Sequence, residues 1–62
     1  MDNNFLLTFS YENDEGMFDE DFKWYKSEEA MLKDIEDMKK YTKDLIVLEA
    51  IEILSLRIIE IE

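Results

Sequence analysis

Residues 44–62 read DLIVLEAIEILSLRIIEIE, and whether that run is helix or strand decides the fold. Isoleucine and valine dominate it, and branching at Cβ favours extended backbone. Its leucines, glutamates and alanine also tolerate a helix, so a helical reading over residues 45–58 stays open. As a strand the pattern is interrupted. Ile46, Leu48 and Ala50 share one parity, Ile51 and Ile53 the other; Leu54, Leu56 and Ile58 return to the first before Ile59 and Ile61 depart again. Side chains alternate strictly along a strand, so a single strand cannot keep one buried face through those switches. The expectation is either a bulge near residues 50–54 or two strands joined by a short bend around Ser55. If both faces are buried, a second copy of the chain is the simplest cover.

The segment before it, SEEAMLKDIEDMKKYTK from Ser27, reads as an amphipathic helix. Ser27 is placed to cap it, Glu28 and Glu29 sit where the helix dipole favours anions, and Lys39, Lys40 and Lys43 gather where it favours cations. Met31, Ile35, Met38 and Tyr41 or Thr42, with Leu32 beside them, make an apolar stripe of helical period. Glu29 with Lys33 and Glu36 with Lys40 are spaced for i,i+4 pairing on the opposite face.

Towards the amino terminus Phe5, Leu7, Phe9 and Tyr11 alternate with Leu6, Thr8 and Ser10, the period of a half-buried strand with its aromatics inward. Phe18, Phe22 and Trp24 fall on one parity of a second strand, Met17, Asp19, Asp21, Lys23 and Tyr25 on the other. Phe22 and Trp24 are therefore expected in the core and Tyr25 at the surface. Glu20 interrupts the apolar parity and marks a bulge or the true strand start. Gly16 can take the positive φ of a turn, so residues 12–16 close an antiparallel hairpin. The predicted fold is a single α+β domain over residues 1–62. An antiparallel sheet, made of the amino-terminal hairpin and one long or two short carboxy-terminal strands, packs on one helix.

Composition narrows function by exclusion. With 62 residues, 47% of them hydrophobic, the chain is too apolar for a disordered acidic tail, yet small enough that its core is marginal without a partner. Cysteine and histidine are both absent, which removes disulfides, thiolate zinc sites and every triad built on an imidazole base. The single glycine cannot form a phosphate-cradling loop. No cofactor is expected, and the chain reads as a non-enzymatic protein. MDNNFLL has an aspartate and no cation where a secretory signal needs a positive start, so a cytoplasmic location is expected.

Seventeen acids against seven bases give a formal charge of −10. Nucleic acid and anionic membranes repel such a chain; a protein with a basic surface attracts it. The charge peaks in YENDEGMFDEDF, residues 11–22, where Glu12 to Asp21 hold six carboxylates and no cation. A calcium loop aligned on Gly16 would place Tyr11 and Phe22 at its two strongest ligand positions, so no metal site is expected there. Carboxylates in a loop and on an outer face also lack the burial that makes one of them a general acid. What remains is recognition. Residues two apart on a strand project about 6.5–7 Å apart, close to the spacing of successive phosphates, so Asp19 and Asp21 with Glu12, Asp14 and Glu15 can imitate a nucleic-acid backbone. Tyr25 would add an apolar anchor to the docking surface.

In size, charge and the order of FLLTFSY, FDEDFKWY, SEEAMLKDIEDMKKY and LIVLEAIEIL, the chain resembles the small acidic proteins with which phages and mobile elements disable host enzymes. Uracil-DNA glycosylase inhibitors, anti-restriction proteins and anti-CRISPR proteins are of this kind. The resemblance implies an inhibitor of a host nucleic-acid enzyme or defence protein, acting in the host cytoplasm. The alternative expectation is a structural or assembly module that forms a homodimer through the apolar carboxy-terminal strand, its acidity serving solubility.

Overall fold

A computed structural model describes residues 3–61 of the chain. Met1 and Asp2, on which part of the signal-sequence reading rests, and Glu62 lie outside the described residues. β1 (Phe5–Glu12) and β2 (Phe18–Tyr25) form the hairpin. Asn13 organises the turn between them: its Oδ1 accepts from the N–H groups of Glu15 at 2.9 Å and Met17 at 3.0 Å, and its Nδ2 donates to Asp19 at 3.1 Å. Gly16 takes the left-handed φ of 81° that closes the turn, a conformation glycine adopts without steric cost.

The helix α1 (Glu28–Tyr41) begins where its cap demands, with Ser27 Oγ accepting from the N–H of Ala30. It ends with the N–H of Thr42 donating to the carbonyl of Met38. Met31, Ile35 and Met38 are its buried residues; of the two candidates for the end of the stripe, Tyr41 is 87% exposed and Thr42 is half-buried. Among the described residues no ion pair joins Glu29 to Lys33 or Glu36 to Lys40; the first turn is held instead by Arg57, which pairs with Glu28 at 2.7 Å and with Glu52 at 3.0 Å.

The carboxy-terminal run is extended, which removes the helical reading of residues 45–58. β3 (Ile46–Glu52) and β4 (Arg57–Ile58) are joined by a turn over residues 53–56 that contains Ser55. The two-strand alternative is the one the chain adopts. The irregular parity has a second cause upstream of residues 50–54. Thr8 pairs with Glu49 and Phe9 with Val47, so Leu48 is an extra residue in a bulge, and Val47 and Ala50 both reach the core despite opposite parity. Asn4 ties the β3–β4 turn to the sheet: its carbonyl accepts from the N–H of Ile53 and its side-chain Oδ1 from that of Leu54, both at 2.8 Å.

The architecture is α+β, one helix on one face of a four-stranded antiparallel sheet in the order β2-β1-β3-β4. The core lies between helix and sheet: Leu7 and Phe9 from β1, Met31, Ile35 and Met38 from α1, Ala50 from β3, and Ile59. Full burial of side chains like these is worth roughly 1.5–3 kcal/mol each, and so small a set makes a thin core.

One expectation is reversed. Phe5 pairs with Tyr25, Leu7 with Lys23, Phe9 with Asp21 and Tyr11 with Asp19, and directly opposed residues share a face. The helix-facing side of β2 therefore carries Asp19, Asp21, Lys23 and Tyr25. Phe18, Phe22 and Trp24, expected in the core, lie on the open side and are 55%, 59% and 42% exposed. Nor does Glu20 mark a bulge or a strand start; β2 is regular from Phe18. The cause is register. The turn held by Asn13 pairs Glu12 with Phe18, and because alternation has a period of two, that one pairing fixes the face of every later residue of β2.

Candidate protein interface

The hairpin separates its carboxylates. Asp14 and Glu15 stand at the tip and are exposed, while Asp19 and Asp21 lie on the helix-facing side of edge strand β2, beyond the cover of α1. Asp19 accepts from Asn13, and Asp21 Oδ1 accepts from the N–H of Phe22 at 2.8 Å. Glu12 differs from the rest. It belongs to the opposite face of the hairpin, its side chain is only 18% exposed, and the Lys43 ammonium lies 3.4 Å away. Among the described residues no ion pair engages Asp14, Glu15, Asp19, Glu20 or Asp21. Their negative potential is left to solvent.

Tyr25 sits between surface and core. It is half-buried against the core, and its hydroxyl donates to Asp34 on α1, whose carboxylate also receives Lys23 at 3.2 Å. Burial, then the hydrogen bond and charge of Asp34, hold the Tyr25 phenol well above its ordinary value of 10.0. Its role is to pin β2 to the helix, because a phenol at this depth needs a partner for its O–H.

The open side of the sheet was not singled out as a site in the sequence, and it carries a broad exposed apolar surface. Phe18, Phe22 and Trp24 form one row on β2; Ile46 and Ile51 on β3 with Ile58 on β4 form another. Between them β1 presents Leu6, Thr8 and Ser10. From their exposures, the three aromatic rings leave roughly 300 Å² in water, already comparable with the largest apolar patch of a typical monomer. Ile46 and Ile58, 50% and 75% exposed, enlarge it. The residue-level clue was the turn: counting the pairing back from Asn13 and Gly16 puts Phe18 opposite Glu12, away from Tyr11.

Three ionisable side chains belong to this open face by register, Glu12, Glu20 and Glu49, and all are carboxylates. Lys23, which in sequence stands between Phe22 and Trp24, points to the helix side. Among the described residues no group of three or more acids is arranged to hold a metal, and no helix is long and apolar enough to cross a membrane. No family model, curated protein or solved structure matches the chain.

Proposed function

We propose that this chain is a non-enzymatic binding protein that docks on a basic surface of another protein, in the manner of the phage and mobile-element inhibitors it resembles. The observation that carries this reading is the set of five hairpin carboxylates, Asp14, Glu15, Asp19, Glu20 and Asp21, which no ion pair engages among the described residues, in a molecule of net charge −10. Such an edge accelerates encounter with a cationic surface and selects against anionic ones. The natural target class is a nucleic-acid-binding host or defence protein, whose groove is already built to accept negative charge. Direct base stacking on Phe22 and Trp24 is disfavoured, because the ionisable side chains that register places on their face, Glu12, Glu20 and Glu49, are carboxylates that repel phosphate.

The apolar open face favours a second reading, a homodimeric assembly module. The two are separated by one comparison. Wild type and the quadruple variant Asp14→Asn, Glu15→Gln, Asp19→Asn, Asp21→Asn are used as bait in host lysate at low and high salt. The docking reading expects a partner held by wild type at low salt, weakened by salt and lost by the variant. Equal retention by both baits would sink it, as would an empty capture beside a clean dimer in sedimentation.

A further inference from the structure

We propose that the open sheet face is a cradle for a cationic amphipathic helix of the partner, laid along β1 between the aromatic row of β2 and the aliphatic row of β3 and β4. This rests on the docking reading above and states what is docked. The first argument is shape. β2 and β3 flank β1 at about 4.8 Å each, so the strip from one row to the other is roughly 10 Å wide, enough for a single helix to lie over it with its apolar stripe against both rows. Leu6, Thr8 and Ser10 of β1 lie between the rows, small towards the Phe18 end and apolar towards the Trp24 end. The second argument is charge. Glu20 stands in the aromatic row and Glu49 beside the aliphatic one, with no cation assigned to this face by register among the described residues. An occupant with an apolar stripe and lysine or arginine along both margins complements the apolar rows and these two glutamates.

A second copy is the weaker occupant. Two such faces would bring Glu20 and Glu49 of each chain towards carboxylates only, and would join two molecules of charge −10. An extended peptide would instead seek a strand edge, where its backbone groups find partners.

The experiment uses the lone tryptophan, Trp24, which lies in the aromatic wall and reports its own burial. The full chain is titrated with an 18-residue leucine–lysine peptide whose leucines form one helical stripe. A scrambled peptide of the same composition and a leucine–glutamate version serve as controls. The expected result is a saturable blue shift of Trp24 emission with the striped cationic peptide alone. Phe22→Ser, and separately Glu49→Lys, should each weaken it by about tenfold or more, while Asp14→Asn with Glu15→Gln at the hairpin tip changes it little. Equal binding of the scrambled peptide would overturn the proposal, since attraction would then be charge without shape. So would a blue shift that grows with protein concentration in the absence of peptide and accompanies a dimer in sedimentation. If the lysate partner binds and the striped peptide does not, the cradle fails and the docking reading stands; if both are silent, both fail.

Discussion

Tyr25 shows how one side chain links strand, helix and pH. Its ring is half-buried against the core and its hydroxyl donates to Asp34, so the neutral phenol is the form the fold accommodates. Because burial and Asp34 raise its pKa above 10.0, its contribution to stability is complete below that value and is lost as pH climbs through the folded-state pKa. The unfolded chain releases this proton first, so alkali favours unfolding. Urea unfolding followed from pH 8 to pH 11 should show a steeper alkaline fall for wild type than for Tyr25→Phe; parallel curves would contradict the assignment. At neutral pH the same substitution should cost about 1 kcal/mol, the worth of one hydrogen bond, because Lys23 and solvent still serve the Asp34 carboxylate.

In the turns, single side chains decide geometry that propagates through whole strands. Asn13→Ala removes the acceptor for two N–H groups and the donor to Asp19, and should cost about 1–2 kcal/mol in denaturant midpoint, with hydrogen exchange quickening at both ends of the hairpin. The β3–β4 turn holds the opposite case. Leu56 sits at φ 52° and is 78% exposed, so a branched residue occupies a left-handed position with little burial in return. Leu56→Asn should therefore raise stability by about 0.5–1 kcal/mol, which a rightward shift in urea would register and an unchanged midpoint would refute. These turns also explain what the sequence disclosed and what it hid. Ser27, the acidic first turn and the Met31, Ile35, Met38 spacing are local signals, and the helix lies where they put it. A break near Ser55 was legible as one of two alternatives for the same reason, since parity is lost within a few residues. The inward face of β2 was not, because it depends on which residue of β2 meets Glu12 across the turn, and aromatic residues on one parity pointed the other way. The bulge at Leu48 escaped for a related cause: it is defined by the partner strand, between Thr8 and Phe9, and leaves only an ambiguous parity switch in β3. Of the six proposed contact residues, the turn and edge acids remain at the surface, whereas Glu12 and Tyr25 are drawn into the fold by Lys43 and Asp34.

For the molecule as a whole, the two faces of the sheet make opposite demands. Phe9 is 4% exposed and Phe22 is 59% exposed, although they are the same residue type on neighbouring strands. Phe9→Ser should remove about 3–5 kcal/mol, most of what so thin a core supplies, and leave the chain unfolded by circular dichroism. Phe22→Ser should stay within about 0.5 kcal/mol of wild type, as a surface change does. A large loss at Phe22 would mean that its face is covered in the free protein. Charge acts across the same small body. The radius of gyration is 11.9 Å, so most of the unpaired carboxylates lie within one or two Debye lengths of each other at about 0.1 M salt. In the ion pairs Lys23–Asp34, Lys43–Glu12, Arg57–Glu28 and Arg57–Glu52 the cation is about half exposed or more, so each pair is screened and worth little, and repulsion among the surplus acids outweighs them. Folding brings those acids closer together than they are in the open chain, and added salt relieves the compact state more than the unfolded one. Unfolding by urea, which is uncharged, should accordingly shift to higher midpoints as sodium chloride rises from about 0.05 to 0.5 M. A midpoint that falls instead would show that ion pairs, rather than the acidic hairpin edge, dominate the electrostatics of the fold.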